Sequence, residues 1–338
     1  MKPLKFAGGI LAGIIVAVAA LLLTATQIAV AVPRAILGLE LPEALKLKHG
    51  IAWSFQVTEA FVQQFSANFV HLAQQTESRL GSRVRVEPNI VGDSKKINRI
   101  GATAAQKKVT RHGDTPLIET PHSTRWIDLD DWEWADLVDE LDKKKMLASP
   151  ESDYLKAGVA AMNRSKDDTI YAAARGNARS STGSVALTAA QKVAVGAAGL
   201  TKAKIIATKK LFRANEADEE NGENLYFTYG SEQMEDVLGD TTLTSSDFIS
   251  VQMLQEGKVG KRWMGFEWVP FERAAKVVND RFQIAWAKSG LALGVGAEIM
   301  TRLTERSDKS YALQPYARMS IGAVRVEEAK VVEVSCLE

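Results

Sequence analysis

The stretch PESDYLKAGVAAMNRSKDDTIYAAARG, residues 150–176, decides the architecture of this chain. Ser149 suits a helix cap and Pro150 the first helical position. The weak point before Gly176 is Gly158, which costs a helix about 1 kcal/mol. A narrow apolar stripe is formed by Leu155, Val159, Met162 and Ile170. The sequence therefore predicts one helix over 150–175, about 39 Å long, whose charged residues leave much of its surface in water. It is a strut.

A shorter helix is predicted immediately before the strut. Acidic residues from Asp128 to Asp131 would stabilise a helix N-terminus by interacting with its free N–H groups. The basic run Lys143–Lys145 would stabilise the C-terminal end of the same helix by interacting with its dipole. Its apolar stripe would be Trp134, Leu137, Val138 and Leu141.

Composition limits the possible classes of protein. The chain has 338 residues, 46% of them hydrophobic and 25% charged, which allows two ordinary domains and excludes general disorder. A net charge of +1 argues against a dedicated nucleic-acid binder. The single cysteine, Cys336, supports neither an intrachain disulfide nor a cysteine-rich metal site.

The N-terminus carries an unusual leader. Residues 6–32 contain no charged side chain and are long enough to span a bilayer, and Ala29–Ala31 resembles a secretory cleavage site. Residues 1–53 are therefore read as a hydrophobic leader and linker. Three explanations stay open: upstream codons included in the gene, a membrane signal, or an apolar arm that lines an assembly. We expect the mature chain to begin between Leu39 and Gln56.

Two segments after the leader are candidate contact elements. Over 57–75, Phe61, Phe65 and Phe69 recur at helical spacing, which predicts an amphipathic helix that packs in the core or docks on a partner subunit. Between Gly92 and Asp128 the chain is basic and poor in large apolar residues, with strand alternation at its end, which predicts a long two-stranded arm. That arm is either a solvated loop or lies on a neighbour.

The rest of the sequence predicts a mixed α+β order. A small-residue connection covers 177–184, helices are expected at 201–215 and 231–238, and 248–254 is helical or irregular. The expected strands are residues 83–86, 225–229, 262–271, 282–287, 300–304 and 316–334. Gly290–Gly296 is expected to turn the chain. Strict alternation of strand and helix, the pattern of a nucleotide-binding sheet, is missing.

No residue set in the sequence indicates catalysis or a cofactor. The four histidines form no metal-binding spacing, and His112 beside Asp114 is more simply a surface hydrogen bond than an acid–base pair. Asp128, Asp130, Asp131 and Glu133 could bind a hard cation, although a helix entry explains them more simply. We expect no enzyme activity, cofactor or metal.

Several runs spread over most of the chain resemble one family. They are Thr58–Phe65, Leu72–Gln75, Ile100–Gln106, Arg111–Leu117, Thr120–Ser123, Leu129–Asp136, Ile284–Lys288, Glu305–Tyr311 and Met319–Ala323. From about Phe55 onward the chain resembles the major capsid proteins of tailed bacteriophages with the Hong Kong 97-type fold. The hydrophobic leader is not part of that family's pattern.

The resemblance implies an α+β capsid fold with named parts. They are an N-terminal arm at 54–91, an extended E-loop at 92–128, a peripheral domain at 129–179 with its spine helix at 150–175, an axial domain at 180–285, and a return to the peripheral domain at 286–338. Intersubunit contacts are expected at Phe61, Phe65, Phe69, Arg99, Lys107, Lys108, Arg111 and Arg125.

The function that the resemblance implies is structural. Hexamers and pentamers of the chain would build an icosahedral head around double-stranded DNA, contacting the DNA without reading its sequence. Portal, scaffold or decoration proteins would be its further partners. It would assemble in the bacterial host cytoplasm and reside in the virion. The alternative is a membrane-anchored assembly or surface protein, for which only residues 6–32 argue.

Overall fold

The computed structural model of the protein describes residues 72–115, 117–139, 151–239 and 262–338. Its helices in these ranges are α1 Glu151–Arg175, α2 Lys202–Ala214 and α3 Ser231–Gly239. Its strands are β1 Arg85–Glu87, β2 Ser94–Ile100, β3 His122–Asp128, β4 Asp130–Ala135, β5 Ala178–Ser180, β6 Gly183–Val185, β7 Lys192–Val193, β8 Leu225–Tyr229, β9 Arg262–Trp263, β10 Phe266–Pro270, β11 Lys276–Val277, β12 Asp280–Ala287, β13 Leu291–Arg306, β14 Ala312–Arg325 and β15 Val331–Leu337.

These strands form two main sheets. The first sheet has the order β1-β13-β14-β4, and its longest pairing is the antiparallel ladder of β13 and β14. The second has the order β7-β15-β12-β8-β10-β9, with β11 added to β12. Two separate hairpins, β2–β3 and β5–β6, complete the described strands. The predicted α+β class is confirmed.

The predicted strut is confirmed as α1, which packs its narrow apolar face on the first sheet. Met162, Ile170 and Tyr171 are buried there together with Leu293 and Ile321 of β13 and β14. Gly158, the weak point of the helix in sequence terms, has a packing reason. A Cβ at Gly158 would lie 2.5 Å from Cε3 of Trp134, so only glycine lets the indole lie against the helix.

The shorter helix predicted before the strut is wrong where it is described. Residues Asp130–Ala135 form β4, which pairs antiparallel with β14 and places Trp132 opposite Met319 and Trp134 opposite Ala317. The alternation of the two tryptophans is a strand period, and pairing with a buried neighbour outweighed the acidic residues that suggested a cap. Residues 140–150 lie outside the described part of the chain.

Other predicted elements need smaller corrections. Residues 262–271 are a hairpin of β9 and β10 rather than one strand, because Met264 and Gly265 form a turn with φ values of 51° and 82°. Gly290–Gly296 is not a turn, since β13 already begins at Leu291. Residues 72–75, the described end of the predicted helix at 57–75, are irregular. Residues 57–71 and the leader lie outside the described residues.

A second core fills the space between α2 and the second sheet. Phe212 of α2 meets Phe266 of β10 edge-on, and Phe227 of β8 packs against both Phe266 and Trp268. Phe212, Phe227 and Phe266 are fully buried. Both predicted helices that flank this core, α2 and α3, are confirmed to within one residue of their predicted ends.

Candidate functional site: an exposed arm and its anchors

The most unusual feature of the described chain is the arm, residues 92–128. Strands β2 and β3 pair over their full length, from Ser94 opposite Asp128 to Ile100 opposite His122. Beyond that pairing, residues 101–115 and 117–119 are exposed throughout. Apolar side chains share this exposure, with Val109 89% and Leu117 95% accessible. An ordered ribbon thus carries a long segment that buries nothing in its own chain.

An ion cluster fixes the β2–β3 ribbon, which forms the base of the arm, to the corner between β14 and β15. Glu328 receives a hydrogen bond from Nη2 of Arg125 at 2.7 Å, and Nη1 of Arg99 lies 3.5 Å from the same carboxylate. Arg99 also donates to the carbonyl of Val326. Burial by itself would raise the pKa of Glu328, but the hydrogen bond from Arg125 and the charges of both arginines outweigh it, so the pKa lies below its usual value.

Two glycines let the base of the arm lie close to the first sheet. Gly294 of β13 and Gly322 of β14 face each other in register. A Cβ on Gly294 would lie 2.6 Å from Ile90 and 2.7 Å from Ile127, and one on Gly322 would overlap the carbonyl of Asp128. A small core of isoleucines, valines and alanines is buried around this contact. The glycines therefore provide the flat surface on which the arm is mounted.

The ion cluster is expected to stabilise the β2–β3 ribbon of the arm. Because the pKa of Glu328 is lowered in the folded chain, its carboxylate stabilises the base at neutral pH, and this contribution disappears as pH falls through that lowered pKa. We expect Glu328→Gln to cost about 2 kcal/mol at pH 7, which speeds hydrogen exchange of the β2 and β3 amides about 30-fold. Glu327→Gln, an exposed neighbour, should leave this exchange unchanged. Equal exchange in wild type and Glu328→Gln would contradict the assigned role.

A second anchor holds the segment that enters the described chain from the N-terminal side. Asp167, on the inner face of α1, is completely buried. Its carboxylate accepts hydrogen bonds from the side chains of Gln75 and Ser78 and from the backbone N–H groups of Arg79 at 2.9 Å and Leu80 at 3.1 Å. One helix carboxylate thus fixes residues 75–80 along the strut.

Neighbouring contacts extend that anchor on both sides. Asn163 donates to the carbonyl of Thr76 at 2.9 Å, and Arg164 donates to Gln74 at 2.8 Å. Arg273, from the loop after β10, binds Asp168 and Gln75, both at 2.8 Å. The pair Asp167–Asp168 therefore serves two different partners, as expected for adjacent helical positions that point about 100° apart.

A buried arginine closes the C-terminal end of the strut. The guanidinium of Arg325 donates to the carbonyls of Ala174 at 2.9 Å and Gly176 at 2.6 Å, and to Val185 at 2.8 Å. The carbonyl of Ala174 is one of those that a helix C-terminus leaves without a partner in the helix, and a cation at this end is also stabilised by the helix dipole. Arg325 is completely buried, so the end of the strut is fixed to β14 and to β6.

The structure places the predicted contact residues in three different situations. Lys107, Lys108 and Arg111 are exposed on the loop of the arm. Arg99 and Arg125 lie at its base and bind Glu328 within the same chain, and Arg125 is only 3% exposed. The charge of Arg125 is therefore already buried and paired within its own chain, and its role as an intersubunit contact stays a prediction. The three phenylalanines at 61, 65 and 69 lie outside the described residues.

Sequence reasoning missed the anchors, although each left a signal. Asp167 precedes the buried Ile170 and Tyr171 by three and four residues, the spacing that places it on the same, inward face of α1. Arg325 ends β14 between two buried valines, Val324 and Val326. A charged residue at an apolar position predicts a specific buried partner.

The candidate metal ligands and reactive groups are not assembled into a site. Within the described ranges, groups of three or more possible ligands are not found. Asp128 instead pairs with Arg179 at 2.5 Å, and the strand period of β4 sends Asp130 and Asp131 to opposite faces. His112 and Asp114 lie in the exposed loop of the arm. Cys336 is buried, and burial raises the pKa of its thiol to about 12, so it is unreactive.

Membrane contact was predicted only for residues 6–32, which lie outside the described part of the chain. Among the residues that are described, α1 is the longest helix, and neither it nor any other helix combines the length and apolar character of a membrane span.

Comparison with known proteins gives one family match. The model of the family described as phage capsid protein matches residues 57–338, which is most of the chain. No curated protein matches the sequence.

Solved structures give the same fold at low sequence identity. The capsid of the Cyanophage P-SCSP1u is 13% identical, with a TM-score of 0.62 over 83% of this chain and 94% of that one. A chain of Mycobacterium phage Che8 is 14% identical, with a TM-score of 0.59 over 80% of this chain and 95% of that one. The capsid of Ralstonia phage GP4 is 9% identical, with a TM-score of 0.62 over 81% of this chain and 94% of that one.

Proposed function

We propose, because the chain belongs to the phage capsid protein family, that many copies of it build the icosahedral head that encloses the double-stranded DNA of a tailed phage. The observation that carries this proposal is the arm. It is fixed to the rest of the chain through Glu328 and the glycine pair, yet the described part of its loop, residues 101–115 and 117–119, is exposed throughout. Exposed apolar side chains on an extended arm are typical of a surface that contacts another protein, here a second copy of the chain.

The mechanism of assembly follows from this mounting. A stiff body that carries an extended arm can place the arm on a neighbour in a fixed direction, and repeated head-to-tail contacts of this kind close into rings. Hexamers and pentamers would be those rings. Contacts that are weak one by one add up in a closed shell, because each further contact forms within an existing assembly.

The family parts are proposed for the following ranges. Residues 54–91 are the N-terminal arm, 92–128 the E-loop, 129–179 the peripheral domain with α1 as its spine, 180–285 the axial domain, and 286–338 the return to the peripheral domain. The confirmed α1 and the β2–β3 ribbon support this division.

Intersubunit contacts are proposed for two groups of residues. Lys107, Lys108 and Arg111 extend from the exposed loop, where a partner can reach them. The phenylalanines at 61, 65 and 69 would dock on a neighbouring copy through one helical face. Arg99 and Arg125 are assigned instead to holding the base of the arm.

The role proposed is structural rather than enzymatic. The inner surface would meet packaged DNA through its phosphates without reading the sequence, consistent with a net charge of only +1. Portal, scaffold or decoration proteins would complete the head, and assembly would take place in the host cytoplasm.

Deleting residues 104–118 tests the proposed role of the arm. These residues bury little apolar surface, so the deletion should change the free energy of unfolding by less than about 1 kcal/mol. The subunit should stay soluble and folded but form no shells, as judged by electron microscopy of the purified protein beside wild type.

A control separates the loop's side chains from its length. Replacing residues 104–118 by fifteen glycine and serine residues should also prevent assembly, because the contacts and not the span are lost. Normal particles from the deleted chain would contradict the role of the arm. Wild-type protein that forms no particles would contradict the capsid function itself.

A further inference from the structure

A groove lies beside the base of the arm, between α1 and the strands β3 and β4. Its volume is about 470 Å³. Trp126 and Trp132 supply aromatic walls, and Ala172 and Ala173 of α1 add small apolar side chains between them. Trp132 is 37% exposed in spite of its size. The groove therefore leaves a large aromatic surface uncovered in the single chain.

The rim of the groove is acidic. Its carboxylates are Asp128, Asp130 and Asp168. Arg179 pairs with Asp128 at 2.5 Å and lies over the ring of Trp126 at 5.3 Å, and Arg273 pairs with Asp168 at 2.8 Å. Three carboxylates and these two guanidinium groups give the rim a net charge of −1. The cation–π contact between Arg179 and Trp126 also shows that a cation can lie on this aromatic face.

The chain's own arm does not fill this groove. Asp128 lies opposite Ser94 and Trp126 opposite Lys96, whereas the loop begins beyond Ile100, six and four residues further along the ribbon. At about 3.4 Å per residue the loop starts about 14 Å along the ribbon from Trp126 and about 20 Å from Asp128. The described residues of the loop, 101–115 and 117–119, are exposed and do not line the groove.

We propose that the groove receives the loop of the arm from a second copy of this chain. The loop presents Lys107, Lys108 and Arg111 around the exposed Val109. The basic side chains match the acidic rim, and a valine with a cationic neighbour suits an indole wall. This inference rests on the proposed function and names the surface that the arm recognises.

The contact is heterologous, because the groove and the loop are different surfaces of one chain. Each copy then offers a loop in one direction and a groove in the other, which is the arrangement that closes rings. Trp126 and Asp128 of the groove belong to the arm of the receiving copy. Binding of a loop in the groove would therefore also cover the Arg179–Trp126 contact and stabilise the base of that copy's arm.

A charge exchange tests the pairing. Asp130→Lys should abolish shell formation, and Lys107→Glu with Lys108→Glu should do the same, as seen by electron microscopy and sedimentation. All three changes together should restore shells to at least half of the wild-type yield. Asp131→Lys is the matched control, because it reverses a neighbouring charge on the opposite face of β4 and should assemble normally.

A binding measurement covers the case in which a variant is unstable. A peptide of residues 104–114 should quench tryptophan fluorescence of the subunit that lacks 104–118, and tenfold more peptide should be needed with Asp130→Lys. Shells from Asp130→Lys alone, or failure of the triple variant while its melting temperature is unchanged, would overturn the proposal. If Asp130→Lys abolished assembly but the peptide failed to bind the subunit with the native Asp130, the groove would have another occupant and the proposal would be overturned. Wild type that forms no shells would instead refute the proposed function.

Discussion

Replacing Ala161 by proline is expected to leave no soluble subunit. Ala161 lies in the middle of α1, where proline removes a backbone hydrogen bond and its ring clashes with the carbonyl four residues earlier. The cost is about 3 kcal/mol or more, out of a total stability of about 5–15 kcal/mol for a domain. Because α1 supports the first sheet and both anchors, the kink would separate Asp167 from its partners and Trp134 from Gly158. Soluble yield and thermal melting of the purified chain measure this effect.

The same change in the arm provides the control. Ala104 lies in the exposed, irregular part of the arm, so Ala104→Pro should leave the melting temperature within about 2 °C of wild type. Insoluble Ala161→Pro beside soluble Ala104→Pro would locate the effect in the helix. If Ala161→Pro protein were soluble and formed shells, α1 would not be the structural support of this fold.

The strut was predictable from sequence because its signals are local. The cap, the helical spacing of the apolar stripe and the glycine after Arg175 all act within one or two turns. The observed helix, Glu151–Arg175, agrees with the prediction for this reason. The arm was predictable for a related reason, since a basic segment with few large apolar residues cannot bury itself in its own chain.

Elements whose conformation depends on a distant partner were not predictable in this way. The strand β4 carries acidic residues typical of a helix entry, and only pairing with β14, about 185 residues further along the chain, makes it a strand. Likewise, Gly294 suggested a turn, whereas its reason is the close approach of Ile127 from the arm. A glycine indicates that space is short but not which element uses it.

The anchors show the same limit for charged residues. Neighbouring aspartates at 167 and 168 look equivalent in sequence, yet the first is completely buried and the side chain of the second is 49% exposed. The difference is set by residues 75–80, which lie about 90 positions earlier and bring four donors to a single carboxylate.

The second large effect is expected at that carboxylate, from Asp167→Ala. The change removes the only charge among these contacts and leaves the backbone N–H groups of Arg79 and Leu80 without their acceptor in a buried place. An unsatisfied buried donor costs about 1–3 kcal/mol, so two donors and the cavity together should lower the free energy of unfolding by about 3–4 kcal/mol. Denaturant unfolding of the subunit that lacks residues 104–118, which we expect not to assemble, measures this loss directly.

Adjacent substitutions distinguish an anchor from a general effect of charge on α1. Asp167→Asn keeps an acceptor oxygen and should recover about half of the loss, whereas Asp168→Ala removes a partly exposed ion pair with Arg273 and should cost less than about 1 kcal/mol. Hydrogen exchange should show the loss of Asp167 first at the amides of Arg79 and Leu80, because these two donate to its carboxylate, whereas the amides of α1 keep their own helical bonds. Equal effects of Asp167→Ala and Asp168→Ala would mean that residues 75–80 are held by something other than the buried carboxylate.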